Sequence, residues 1–352
     1  MSGRFRLGML ANGRHLARLT LIVLLAILTA CSQTSKVSSQ KSTAKKKLAA
    51  PPILSTPKAK SIGFRPQPLP LKIVYPLRYD QGIERKGEIF AVGNSADEVS
   101  QIFDKSNYDI RSVRRNAGTV PPIFVDRIPS DLRSQSISRK KDLFFKMVLP
   151  MALVVNLEIR EIRQRIKASG CGGQTHQCSQ HWLRDLGENY RVKTVDELLI
   201  KIDELPPSLM MAQAVEESGW GGSRFSQEGN ALFGQRTWDS QDSGMIPYER
   251  ESGASYRVRT FNDIIESLRV YSRNLNRHKA YREMRQMRAN FKRSGQKVDS
   301  LTLIKGLKQY STTGNAYERN LRSIIEKNSL KEFDRARLDL NSQPKRILVS
   351  TY

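Results

Sequence analysis

At 352 residues the chain exceeds one typical domain, although length alone also allows a single domain with long extensions. Its 59 Lys and Arg against 34 Asp and Glu leave a net charge of +25, which calls for acidic surroundings or an acidic partner. That balance speaks of association and not of fold, and nucleic acid is excluded as the partner by compartment, because the chain opens like an exported protein.

Residues 1–30 read as the export signal. Arg4, Arg6, Arg14 and Arg18 form a charged leader, and Leu19 to Leu28 is almost purely apolar, too short for a comfortable membrane-spanning helix. Leu28-Thr29-Ala30-Cys31 then brings small residues up to a cysteine, which resembles the bacterial lipobox. The resemblance implies cleavage before Cys31, acylation of that cysteine and a membrane anchor; Ser32 after it favours the outer membrane, facing the periplasm. An ordinary signal peptide that happens to contain a cysteine is the alternative. Residues 31–76 are rich in Ser, Lys, Pro and Ala, carry no acidic residue and cannot bury enough surface to fold, so they read as a flexible basic tether.

Residues 77–135 regain apolar spacing and read as an accessory N-terminal region. Ser95-Ala96-Asp97-Glu98 is a capping-box pattern ahead of Val99, Ile102 and Phe103, which predicts a short helix. An extended arm from Val120 to Leu132 leads into residues 136–333, the main domain. There Leu143 to Val155 is apolar enough to raise the question of a membrane. Lys146 and Pro150 interrupt it, and Glu158 to Arg163 continues at helical spacing, so a long core helix kinked at the proline is expected. Cys171 and Cys178 follow in a Gly-rich loop. In an exported protein with no other cysteine left after lipidation they predict one disulfide; with His176 and His181 beside them, a four-ligand zinc site is the alternative.

Val192 to Asp203 reads as a short amphipathic helix that delivers the chain to the stretch of greatest interest. Pro206, Pro207 and Ser208 open a helix there, with the Ser208 oxygen as its cap, and Gly219 closes it. Leu209, Met210, Met211, Ala212, Ala214 and Val215 make it apolar nearly all round, hence buried, yet it ends in Glu216-Glu217. Neighbouring helical residues point about 100° apart, so one carboxyl faces a cleft and the other water. Glu217 shares its face with Gln213, Ala214 and Trp220, a setting of small residues and a large ring that desolvates a carboxyl and keeps it protonated, as a general acid requires. An exposed Glu-Glu pair at a helix end is the bland reading.

Ala212-Gln213-Ala214-Val215-Glu216-Glu217-Ser218-Gly219-Trp220-Gly221 followed by Asn230-Ala231-Leu232-Phe233-Gly234 resembles the glucosaminidase domain of glycoside hydrolase family 73. Within it the pattern is similar to the flagellar rod-cap muramidase and, more so, to bacterial Bax-type proteins. The resemblance, covering about residues 140–330, implies a mainly α, lysozyme-like α+β domain with a small β-hairpin lobe. It also implies an endo-β-N-acetylglucosaminidase that cleaves β-1,4 bonds in peptidoglycan glycan strands, with Glu217 as the catalytic acid. A second acid is implied on the lobe, where Glu249 is the best placed, and a tyrosine beside the catalytic glutamate, where Tyr317 falls.

Beyond Gly234, Tyr248-Glu249 and Tyr256-Arg257-Val258 read as a hairpin around Glu251-Ser252-Gly253-Ala254. Phe261 to Phe291 reads as one long helix capped near Asn262-Asp263, apolar inward and with its arginines outward. Leu301 to Tyr310 and Tyr317 to Asn328 complete a helical pair, and residues 334–352 form a basic tail. Trp220, Phe233 and Trp238 are candidate sugar platforms and Asn230 a polar contact, each equally suited to packing the cleft wall. No metal or nucleotide motif is present, so no cofactor is expected. A lytic transglycosylase and a non-catalytic wall-binding lipoprotein are the alternative readings.

Overall fold

The computed structural model describes residues 89–91, 94–116, 118–311 and 313–339. The segments read from the sequence as export signal and tether, Cys31 with them, and the residues beyond 339 lie outside these ranges. Short elements come first: strand β1 (Ile89–Ala91), helices α1 (Ala96–Lys105) and α2 (Ile110–Asn116), and strands β2 (Thr119–Val120) and β3 (Ile123–Val125). Ser95 caps α1 by accepting from the Glu98 N–H, while the Glu98 carboxylate reaches back to the Asn94 N–H. β1 and β3 pair in parallel, and the apolar side of α1 (Val99, Ile102, Phe103) merges into one hydrophobic core with the helices that follow.

Helix α3 (Ile137–Ala168) is the axis of that core, with Leu143 to Asn156 buried without interruption and Pro150 inside it. Among the described residues no helix is long and apolar enough to cross a membrane. The one charge in the buried run, Lys146, is paired with Asp142 at 3.2 Å. After the Cys171–Cys178 loop come α4 (His181–Tyr190) and α5 (Val195–Lys201), the latter opened by a Thr194–Glu197 capping box. α6 (Pro207–Ser218) then packs on α3, and α7 (Arg224–Gly229) leads into the lobe. The lobe is an antiparallel sheet of β4 (Arg236–Thr237), β5 (Gly244–Met245) and β6 (Arg257–Arg259) in the order β4-β6-β5. Helices α8 (Ile264–Arg277), α9 (Arg282–Arg293), α10 (Ser300–Leu303) and α11 (Asn315–Lys327) follow, and β7 (Arg337–Leu338) pairs in parallel with β2. The fold is thus mainly α with a small β-lobe, as the sequence predicts.

Several local expectations are corrected. Ser208 does not cap α6 with its own oxygen: its hydroxyl and its N–H both donate to Asp334, at 2.8 Å each, so the cap is supplied by a carboxylate 126 residues away. The helix expected over 261–291 breaks after Arg277. His278 is extended (φ −68°, ψ 140°) and its Nδ1 accepts from the Ala280 N–H, so a 3-10 turn (Lys279–Tyr281) separates α8 from α9. Nor do all arginines of that segment face water. Arg288 is fully buried and spreads its guanidinium over the carbonyls of Ile200, Lys201 and Asp203, satisfying orphan carbonyls at the end of α5. Arg285 does the same for Leu275 and His278. The lobe hairpin pairs further from its turn than expected, with Met245 opposite Val258, and leaves Tyr248 and Glu249 in the loop.

Candidate functional site

The site begins with the way α6 is held. At its entry, Asn156 of α3 imitates a strand partner, donating to the Leu205 carbonyl at 2.7 Å and accepting from the Leu205 N–H at 3.0 Å. At its exit the chain takes three successive left-handed residues, Gly219 (φ 58°), Trp220 (φ 62°) and Gly221 (φ 73°). For Trp220 that conformation is strained and must be held by its surroundings. Ser218 does part of the holding: its hydroxyl donates to the Ala214 carbonyl and accepts from the Gly221 N–H at 2.8 Å. Gln227 pins the far side through the Gly221 carbonyl at 2.7 Å. Gly221 is also a close approach, since a Cβ there would lie 3.2 to 3.4 Å from Ile128, Phe144 and Leu132.

This exit moves Trp220 off the face of Glu217. Its ring packs edge-on against Phe144 and Phe145, with centroids at 5.9 and 5.2 Å, and Lys141 lies over it. The ring that meets Glu217 is Tyr317 of α11, whose hydroxyl donates to Glu217 Oε1 at 2.8 Å. Behind it runs a chain of buried polar groups. Tyr271 of α8 donates to Gln213 Oε1 at 2.6 Å, and Gln213 Nε2 donates to the Tyr317 oxygen at 2.8 Å. Tyr310 stacks parallel to Tyr317 at 5.5 Å, and Phe233 lies flat on Tyr271 at 3.9 Å.

The electrostatics follow from this packing. Burial pushes the Glu217 carboxyl up to about 7; the Tyr317 hydrogen bond pulls it down, and the Glu216 charge pushes it further up. Burial likewise drives the Tyr317 hydroxyl far above its ordinary value, helped by the Glu217 charge, so it remains a donor. Glu216 turns the other way, accepting from Asn320 at 2.9 Å. The two neighbouring acids are therefore divided, one into a tyrosine-lined pocket and one to the rim.

Other sequence candidates are placed differently. Phe233 is 3 % exposed and has no free face for a sugar; it is the wall behind Tyr271. Asn230 takes the left-handed cap of α7 and commits its amide hydrogens to the Phe261 and Asn262 carbonyls, tying the lobe to the start of α8. Trp238 is half-buried on the lobe beside Tyr256, which is itself covered by Arg236 at 4.0 Å. Glu249 is exposed in the β5–β6 loop and makes no hydrogen bond or ion pair among the described residues. Cys171 and Cys178 are joined, which removes the thiolates that a zinc site with His176 and His181 would need. Gln213, which the sequence places on the face of Glu217 one helical turn before it, also links Tyr271 to Tyr317, and that role the spacing does not announce.

A groove of about 1260 Å³ opens at the opposite end of α6, among Asn156, Glu204, Pro207, Lys292 and Asp334. It includes none of the Glu217 cluster.

A mainly α domain with a small sheet, built around a helix that ends in a desolvated glutamate, is the class of a glycoside hydrolase. Residues 193–330 match the family model "Glucosaminidase: Mannosyl-glycoprotein endo-beta-N-acetylglucosaminidase". The chain is similar to Protein bax of Escherichia coli (strain K12), with 26% identity over 236 residues, 65% of this chain and 80% of that protein. It also aligns with the catalytic domain of the autolysin Auto from Listeria monocytogenes, at 19% identity over 52% of this chain and 87% of that one. The TM-score there is 0.30, too low to carry an argument.

Proposed function

We propose that the domain is an endo-β-N-acetylglucosaminidase of peptidoglycan in which Glu217 is the general acid. The observation that carries this is the Glu217 carboxyl itself, raised to about 7 by burial at the end of a helix buried along most of its length and held by Tyr317. Near neutral pH about half of such groups hold a proton, the condition for giving one to the leaving glycosidic oxygen. Water then adds at the anomeric carbon, and the carboxylate is reprotonated from solvent. The remaining role, attack or stabilisation at that carbon, falls either to Glu249 brought over from the lobe or to the acetamido group of the substrate. The net charge of +25 suits a polymer whose stem peptides carry carboxylates.

We further propose that Cys31 is acylated and anchors the protein to the outer membrane, facing the periplasm. The charged leader, the apolar run and Leu28-Thr29-Ala30-Cys31 support this.

The test is digestion of purified sacculi, with mass spectrometry of the new chain ends. New reducing N-acetylglucosamine ends are expected, and Glu217→Gln should release fewer by about 10² to 10⁴-fold, the usual worth of general acid catalysis. Anhydromuramic ends would instead identify a lytic transglycosylase, which a lone working carboxyl also permits. Binding to sacculi without release would identify a non-catalytic wall binder.

A further inference from the structure

The hydrogen bonds behind Glu217 have a direction, and the direction has one source. The Tyr271 hydroxyl makes no hydrogen bond among the described residues except the one it gives to Gln213 Oε1, at 2.6 Å. Its O–H therefore fixes which end of the Gln213 amide is the acceptor. The Gln213 N–H is left to donate to the Tyr317 oxygen at 2.8 Å, and Tyr317, already accepting from one side, turns its only proton to Glu217 Oε1 at 2.8 Å. Reversing the amide would reverse the chain: Tyr317 would donate to Gln213, and the proton of Glu217 would be given inward, to Tyr317, and lost to any substrate.

Resting on the reading of Glu217 as the acid, we propose that Tyr271 and Gln213 are its positioning residues. They set the polarity of the chain so that Tyr317 always donates to Oε1 and the transferable proton is held on Oε2, which takes no hydrogen bond among the described residues. The four groups come from three elements, α8, α6 and α11, all packed in the same core. Such a chain in a low-dielectric interior is stiff, because each reversal leaves a buried donor or acceptor unpaired. The groups that bear electrostatically on Glu217 are Glu216 on its own helix, Tyr317 from α11, Tyr271 from α8, Tyr281 from the turn after α8, and Tyr310 from the segment before α11. Apart from Glu216, all are tyrosines that burial keeps neutral. Of these groups Glu216 is the one that carries a charge, and beside it and burial the Tyr317 hydrogen bond is the third influence on the carboxyl.

The test uses Tyr271→Phe, which keeps the ring stacked on Phe233, and Gln213→Met, which keeps the volume and removes both polar ends. The full-length protein, labelled with carboxyl-¹³C glutamate and assigned through Glu217→Gln, is titrated by NMR, and the pH profile of muropeptide release is recorded beside it. Both variants weaken the Tyr317 hydrogen bond to the ionised carboxylate. Glu217 should therefore titrate about one pH unit higher, the worth of a hydrogen bond to a charged group. The alkaline limb of kcat/KM should move up with it while kcat falls, and Tyr317→Phe should give the largest shift. Variants that remain folded, with Glu217 titrating and the pH limb lying as in wild type, overturn the proposal, for a merely structural role would lower activity without moving either. The two readings fail separately: full activity of Glu217→Gln removes the general acid, whereas an unmoved titration with Glu217→Gln inactive removes only the positioning role.

Discussion

Replacing Glu217 with glutamine should stabilise the protein in one pH range and leave it unchanged in another. A free glutamate titrates near 4.5, and burial raises Glu217 to about 7, so between those values the folded chain binds more protons than the unfolded one. Stability then falls as pH rises through that window, because the slope has the sign of protons bound unfolded minus protons bound folded. At about 1.4 kcal/mol per unit, the full passage from 4.5 to about 7 costs the wild type about 3 kcal/mol. The glutamine side chain keeps the shape and can still accept from Tyr317, but has no charge to bury. At pH 8 the variant should therefore be more stable by about that amount, or about 6 to 12 °C in melting temperature for a domain of this size, while at pH 4 the two should melt together. Thermal unfolding followed by circular dichroism at both pH values measures the difference. A gap between variant and wild type that is the same at pH 4 and pH 8 would refute the claim that Glu217 is ionised at the expense of the fold.

Glu216→Gln, at the rim with Asn320, should leave muropeptide release within a few-fold of wild type, whereas Glu249→Gln should abolish it only if the lobe carboxylate, and not the acetamido group of the substrate, serves the anomeric carbon. Gly221→Ala forces a left-handed alanine against Ile128, Phe144 and Leu132 and should lower stability by about 2 to 3 kcal/mol in urea unfolding. Replacing Cys171 and Cys178 together with serine opens a short loop and should cost about 2 kcal/mol, read from the same experiment. Cys31→Ser should abolish palmitate labelling and leave uncleaved precursor or soluble protein; equally strong labelling would remove the anchor.

The parts of the site that sequence makes legible are those fixed by local rules. Pro206, Pro207 and Gly219 bound α6, Asp263 caps α8, and the apolar run of α3 marks the core axis, because each depends on residues within a turn or two. Gln213 belongs with them, one turn from Glu217. What the sequence conceals depends on partners far away. Asp334 reaches Ser208 across 126 residues, and Arg288 turns inward only because α5 ends with free carbonyls beneath it; on its own helix it reads as a solvated charge. His278 breaks a helix without a proline or glycine to announce it. Trp220 misleads for a different reason: helical periodicity places it beside Glu217 only if the helix runs past Gly219, where three left-handed residues end it. Glu217 is desolvated all the same, because its pocket is made by tyrosines from α8 and α11 and not by the tryptophan.

The order in which these parts leave the ribosome has a consequence of its own. α6 is buried along most of its length, yet one side of its cover arrives last: Tyr317 gives Glu217 its hydrogen bond, Leu330 and Phe333 lie in the turn packed on α6, Asp334 fastens its first turn, and β7 closes on β2. A chain made from its N-terminus therefore carries the whole Glu-Ser-Gly-Trp-Gly signature for the time it takes to make about a hundred further residues before Asp334 can fasten the first turn of α6. The motif is written early and the Tyr317 contact to its glutamate is completed late. A fragment that stopped before α11 would contain every residue of the signature but not the Tyr317 hydroxyl that meets its glutamate.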